Sequence, residues 1–591
     1  MKPVRAAAAL PRPRDVPARR AFGSAPRWSV VVLFAAAGLV LAPLASLAVI
    51  AFRGEPALWL GLAASVLPAA LLETALLLAG VALLTGTLGV GTAWLVTVHR
   101  FPGRDWLAWL LPLPLAVPTY ITAYVYVEVF DAAGPVQAAL RQAMGWRSRT
   151  EYWFPEIRSL PGCILVMAVV LYPYVYAAAR TMFATQSASM VEVARTLGAG
   201  RFEMFRTVAL PLARPALAIG LALALLEALN DIGASEYLGV RTLTLSVYTT
   251  WLNRGSLAGA AQIACLRLAI VVALIALERR GRRDRRYTVS TRRSRMVAPT
   301  PLPRGVGVVA ALACALPVVA GFVLPAGFLL KETVRRGLVS QLDAAFVGHL
   351  ARTIGLALSA TLGALVLGLV VTTASRFAQR ALTAALTFVV GLGYAVPGTV
   401  LALGLLAPLI AVDNVLNSLW RLVAGEPLGL FLIGSGAALV IAYVVRFLPI
   451  ATGSLSAGLS RVSASVEDAA RCLGAKPREL VLRIQLPLLR PALASAALLV
   501  FVDCLKELPA TLLLRPLNAE TLATLVYGHA TRGAFEDGAL AALVIVAVGI
   551  FPVMRLSRGS DQAEPAVVAR ALDPSPGRTG GAAVLPVREQ A

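Results

Sequence analysis

Glu192-Val-Ala-Arg-Thr-Leu-Gly198 and Asp468-Ala-Ala-Arg-Cys-Leu-Gly474 are two copies of one stretch, 276 residues apart. Their continuations match as well. Leu210-Pro-Leu-Ala-Arg-Pro-Ala-Leu217 stands against Leu486-Pro-Leu-Leu-Arg-Pro-Ala-Leu493. Each copy is a polar, basic island between long apolar runs. Any hairpin between two apolar spans needs a turn and a few arginines. That need does not explain the same order of acid, small residue, glycine, Leu-Pro and Arg-Pro twice. A polar loop repeated in so apolar a chain meets something in the water.

The chain has 591 residues, 58% of them hydrophobic, a mean hydropathy of +0.77 and only 14% charged residues. A soluble chain carries about a quarter charged residues, so most of this one faces lipid or neighbouring membrane helices. The net charge of +23 comes from arginines clustered beside apolar runs. That placement follows the positive-inside rule rather than a nucleic-acid groove. The five cysteines (Cys163, Cys265, Cys314, Cys472, Cys504) form no CxxC pair and read as small core residues. His99, His349 and His529 have no metal-ligand spacing.

Residues 1–27 form a basic, Pro-rich cytoplasmic tail, and the apolar run that follows is too long for a cleaved leader. A span needs about 20 apolar residues. Six spans are expected over 28–52, 69–98, 106–130, 161–182, 212–232 and 258–277. A basic cytoplasmic linker, 279–303, separates the two halves. The second half repeats the plan over 304–330, 347–375, 381–410, 429–452, 488–510 and 535–557, and a Gly/Pro/Ala-rich tail, 558–591, reads as disordered. The two repeated units are thus 28–278 and 304–557. Ala116-Val-Pro118 matches Ala395-Val-Pro397, Pro173 matches Pro449, and Thr242-Leu243…Val247-Tyr248 matches Thr521-Leu522…Val526-Tyr527. An even number of spans per half inserts both halves the same way round, with both termini cytoplasmic and an axis along the membrane normal. The fold class is all-α and polytopic, about 12 transmembrane helices in two parallel six-helix repeats.

The repeated loop has its own physics. Residues 190–197 suit a short helix with Glu192 in its first turn, where a negative charge is favoured, and Asp468 takes the equivalent place. Gly198 and Gly474 suit the left-handed position that ends a helix. Proline is tolerated in the first turn of the helix that follows Leu210 and Leu486. The result is a helix–turn–helix at the membrane surface, continuous with a spanning helix.

This loop resembles the EAA loop of ABC importer permeases, roughly Glu-Ala-Ala-x-x-x-Gly followed by Leu-Pro. Glu192, Ala194 and Gly198 match it in the first copy, and Asp468, Ala469, Ala470 and Gly474 in the second, with Val193 and Asp468 as departures. The resemblance implies the type I importer permease fold in a bacterial inner membrane. It also implies that Glu192, Ala194, Gly198, Asp468, Ala470 and Gly474 couple to two copies of a cytoplasmic ABC ATPase. No GxxxxGK[ST] stretch occurs, so ATP and Mg2+ belong to that partner, and this chain carries neither cofactor nor enzyme activity of its own. A periplasmic or extracytoplasmic substrate-binding protein is the other implied partner.

Asp503-Cys-Leu-Lys-Glu-Leu-Pro-Ala-Thr-Leu-Leu-Leu-Arg-Pro516 and Leu229-Asn-Asp-Ile-Gly233 are similar to fused ferric-iron permeases. Thiamine and phosphonate permeases are fused duplicates of similar length. Glu227 and Asp231 are four apart, as are Asp503 and Glu507. Ionisable groups in a membrane helix tend to face a water-filled path, and hard cations prefer oxygen. These four acids are therefore the candidate translocation path; the alternative places them at wet helix ends or in local pairs, as with Lys506. Tyr120, Tyr124, Tyr126 and Glu128 read as an interfacial aromatic belt, and Glu73 as interfacial. A gradient-driven secondary transporter would leave the twin loops unexplained, and a membrane enzyme would need a catalytic set that the chain does not show.

Overall fold

An apolar run inside a bilayer leaves the backbone no hydrogen-bond partner but itself, and the chain answers with helices almost throughout. The computed structural model describes residues 27–54, 56–185, 200–283, 299–377, 380–427, 429–460, 464–476, 479–517 and 519–562. The principal helices of the first half are α1 (Arg27–Phe52), α2 (Leu67–Val98), α3 (Thr119–Phe130), α4 (Leu160–Thr185), α5 (Leu210–Asn230) and α6 (Leu257–Arg283). Their counterparts are α7 (Arg304–Arg335), α8 (Ala344–Phe377), α9 (Gly398–Ala424), α10 (Ala437–Ser460), α11 (Leu486–Lys506) and α12 (Ala539–Gln562). Among the described residues nine helices are long and apolar enough to cross a membrane, or eleven if two sharply bent pairs each count once.

Two expected spans are broken at matched points, and α5 bends by 63° between Arg214 and Ala216. The run expected over 106–130 bends by 94° between the segments Arg104–Ala116 and Thr119–Met144. The run expected over 381–410 splits into Arg380–Ala395 and α9. The matched Val-Pro pairs sit at both breaks. Pro118 and Pro397 are extended, with ψ of 143° and 144°, and a proline pushes the residue before it out of the helical region. Hydropathy runs straight through these points, so composition alone does not mark them.

Each half has a three-helix centre, α2 with α4 and α5, and α8 with α10 and α11. The first helix of each half crosses over. Besides its own α6, α1 packs on α8, α9 and the Arg380–Ala395 helix of the second half. In return, α7 packs on α2, α4 and the 104–116 segment of the first half and on its own α12. Glycine permits the closest approaches. A Cβ on Gly404 would lie 2.2 Å from the Pro43 carbonyl oxygen of α1, and one on Gly321 would lie 2.2 Å from that of Val169. Equivalent residues touch only near a two-fold relation, and the Tyr248 and Tyr527 hydroxyls lie 3.4 Å apart. Each belongs to a helix capped by a threonine, Thr242 for Leu243–Leu252 and Thr521 for Leu522–Thr531. Both helices are also anchored alike: the Leu243 N–H donates to Thr74 and the Leu522 N–H to Thr353.

Candidate functional site: a charged cavity and a surface lever

Helices α5 and α11 end at Asn230 and Lys506, where the backbone turns extended at Asp231 and Glu507. These ends face each other across the two halves and, with the start of α3, enclose a cavity of about 70 Å³. Glu227, Asp231, Asp503 and Glu507 all line it, together with Thr119, Tyr120, Asn230, Arg446 and Lys506. Asp231 and Glu507 cap the helices at φ of −75° and −69°, still in the helical range, so each stays on the face of the acid four residues before it, and all four reach one cavity.

Helix ends and local pairing both contribute. Lys506 Nζ lies 2.8 Å from Asp503 Oδ1, and Arg446 Nε lies 3.3 Å from Glu507 Oε2. Glu507 also accepts the Ala510 N–H at 3.1 Å. The first-half acids have only neutral donors: the Tyr394 hydroxyl donates to Glu227 at 2.5 Å, and Thr119 and the Ala234 N–H donate to Asp231. Two residues escaped the sequence reading. Arg446 is buried in α10 and also donates to the Val396 carbonyl beside the Pro397 break. Arg267 in α6 is fully buried and donates to the Leu229 carbonyl, to Asn230 Oδ1 and to Thr399 of the second half. The signal was present, since each is a lone arginine inside an apolar run and such residues are costly unless they act.

The aromatic belt is overturned. Tyr120, Tyr124 and Tyr126 are 4%, 1% and 4% exposed, packed in the core rather than at an interface. Tyr126 donates to the Ala320 carbonyl of α7, while the Tyr120 hydroxyl has no partner. Glu73 accepts the Arg241 N–H at 2.6 Å and so holds the loop that leads to Thr242. Among the described residues no three His, Cys, Asp or Glu side chains group closely enough to hold a metal ion.

Glu192, Ala194 and Gly198 of the first polar loop lie outside the described residues. In the second, a helix runs Ala464–Cys472. Gly474 has φ of +85°, and the Ala475 N–H donates to the Ala470 carbonyl at 3.0 Å. This is the left-handed stop that glycine makes easy. Ala470 is buried and Asp468 exposed. The first-turn acid is Glu467, not Asp468. It is buried against Arg376 at the end of α8, at 2.9 Å, and accepts from Gln485 at 3.1 Å. The first copy has Val191 at the corresponding position, so the repeat itself does not reveal this tie. Leu473 is 88% exposed beside the turn. The link onward is a single rod rather than a separate second helix. A π turn, Leu480–Gln485, runs directly into α11, whereas Phe205–Ala209 leads into an α5 that bends by 63° between Arg214 and Ala216. Pro487 and Pro211 have no N–H to continue the α ladder, and the wider turn absorbs the defect.

A duplicated bundle of membrane-crossing helices, with a polar loop joined rigidly to the helix that ends at a charged cavity, defines a transport subunit. The chain belongs to the family of binding-protein-dependent transport system inner membrane components, whose pattern it matches twice, over residues 86–283 and 364–563. It is 30% identical over 209 residues to the molybdenum transport system permease protein ModB of Escherichia coli, covering 88% of that protein and 33% of this chain. It is 25% identical over 499 residues to the Fe(3+)-transport system permease protein FbpB 2 of Haemophilus influenzae, covering 89% of that protein and 82% of this chain. It is 34% identical over 161 residues to the sulfate transport system permease protein CysW of Escherichia coli, covering 52% of that protein and 27% of this chain. The chain is thus a multi-pass inner-membrane ABC importer permease, a transporter component rather than an enzyme, of a kind that works with an ATPase and a substrate-binding protein.

Proposed function

We propose that this permease passes ferric iron through the cavity between its halves. The observation that carries the reading is the convergence of Glu227, Asp231, Asp503 and Glu507 on one cavity. A small trivalent ion seeks oxygen ligands, and the cavity walls offer carboxylates, those of the second half already held in ion pairs. A relative that spans both halves is named for Fe(3+) transport. The shorter relatives named for molybdenum and sulfate favour a second reading, an oxyanion held by Lys506 and Arg446. Both cations already face carboxylates, which weakens that reading.

Two ATPase subunits grip the loops around Glu192, Ala194 and Gly198 and around Asp468, Ala470 and Gly474 from the cytoplasm, where both chain termini also lie. The rod from Leu486 to Lys506 is about 30 Å long at 1.5 Å per residue, so motion at the loop is carried to the cavity. The exposed Leu473 supplies apolar surface for the grip. ATP and Mg2+ bind the ATPase pair, and an extracytoplasmic protein delivers the ion. The test is uptake of radiolabelled Fe3+, sulfate and molybdate by cells with and without this chain. ATP-dependent iron uptake that requires the chain is expected. Uptake of an oxyanion with no iron uptake sinks the substrate assignment, and iron uptake abolished by collapsing the ion gradient at constant ATP sinks the ABC mechanism.

A further inference from the structure

The duplicated cavity is electrically lopsided, and this says which acids meet the cargo. In the second half each acid has its own cation, Asp503 with Lys506 and Glu507 with Arg446. A carboxylate so paired is already neutralised, and pulling it toward another ion leaves a buried cation behind. Among the described residues Glu227 and Asp231 form no such contact pair, although Arg446 and Lys506 act on Glu227 across the cavity. Asn230 stands where Lys506 stands in the repeat, and Val170 where Arg446 stands. Among the described residues Glu227 and Asp231 accept only from hydroxyl and amide donors.

A second observation points to a ligand at the same wall. Tyr120 and Asn230 both line the cavity and are 4% exposed, and among the described residues neither the Tyr120 hydroxyl nor the Asn230 Nδ2 has a hydrogen-bond partner. Buried polar atoms are normally satisfied. Arg267 occupies the other side of the Asn230 amide, at Oδ1, so the amide group keeps its N–H bonds for something else. A hydrated cation satisfies all of these together. Carboxylate oxygens of Glu227 and Asp231 and the Tyr120 oxygen serve as ligands, and the Asn230 N–H bonds go to oxygens of the water that stays on the ion.

Resting on the ferric-iron reading of this cavity, we propose that Glu227, Asp231 and Tyr120 of the first half form a transit site for a hard trivalent cation, and that Asp503 and Glu507 serve as fixed ion pairs. Few protein ligands suit such a site. An ion that must leave again needs weak holding, with water completing its shell.

The test uses the full chain, purified with its ATPase in lipid nanodiscs, and Tb3+ as a hard, redox-inert probe whose emission is excited through nearby tyrosine. Saturable, tyrosine-sensitised emission is expected. Glu227→Gln and Asp231→Asn should each weaken the Tb3+ affinity at least tenfold, and Tyr120→Phe should lower the sensitised emission. The double change Asp503→Asn with Lys506→Met should hold the affinity within threefold. Retained ATPase co-purification and an unchanged elution profile show that each variant is folded. The proposal is overturned if the first-half variants bind Tb3+ as the parent does, or if the double variant loses binding as fully as they do. Iron uptake lets the two readings fail separately. A chain that imports an oxyanion but keeps the Tb3+ site refutes the cargo alone, while iron import with Tb3+ binding indifferent to Glu227 and Asp231 refutes the site alone.

Discussion

At the scale of single residues, the decisive feature is the contrast between paired and unpaired charge. Arg446 and Glu507 are 4% and 6% exposed and lie 3.3 Å apart. Removing one partner of a buried pair costs about 3–5 kcal/mol, whereas removing both together costs much less. Glu507→Gln and Arg446→Met should therefore each lower the thermal midpoint in detergent more than the double variant does. Equal, additive losses would show that the pair is not coupled. Much of this chemistry was legible. The four acids could be named from their spacing and from the cost of charge in a membrane helix, and so could Lys506 as a partner. The buried tyrosines were misread because tyrosine suits both a core and an interface, and sequence carries no sign of which. Arg446 and Arg267 were missed although a lone arginine among apolar residues is the plainest signal available.

At the scale of elements, the lever is the unit that matters. Gly474 ends the Ala464–Cys472 helix in the left-handed region at φ of +85°. A side chain there costs about 1–2 kcal/mol. Gly474→Val should loosen the turn and reduce the amount of ATPase that co-purifies, with little effect on the melting of the spanning bundle. Undiminished ATPase recovery would remove the turn from the coupling surface. Glu467 is the tie between this helix and α8 through Arg376. Glu467→Gln keeps the shape and loses the charge, so it should lower transport per ATP hydrolysed without releasing the ATPase, a ratio read directly in proteoliposomes. The repeat made the lever's position readable in advance. It did not disclose the π turns, because a proline after a leucine suits a fresh helix start and a widened turn equally.

At the scale of the whole molecule, two-fold kinship was readable from matched landmarks, but the exchange of first helices was not. Hydropathy says that a helix faces something apolar and does not say whose helix that is. The close approach of Gly404 to Pro43 packs α1 of the first half against α9 of the second. Residues 1–290 and 291–591 expressed together as separate chains should therefore assemble and co-purify, while either alone should be degraded. Failure to co-purify would mean that the linker, not the exchange, holds the halves together. Near the axis, Tyr527 donates to Glu236 at 2.7 Å and meets Tyr248. Tyr527→Phe should free this closure, measured as faster labelling of Thr249→Cys by an impermeant thiol reagent.

The exchange also bears on how the protein is made. Helix Arg27–Phe52, synthesised early, finds most of its seat on segments between Ala344 and Ala424. For some three hundred residues of synthesis it waits in lipid with small residues such as Ala36 and Ala37 unburied, faces that the finished fold seals almost completely. An insertase or chaperone able to shelter a single helix over that interval would set the yield of this chain, and slowed translation of the second half would expose the nascent first half to membrane proteases.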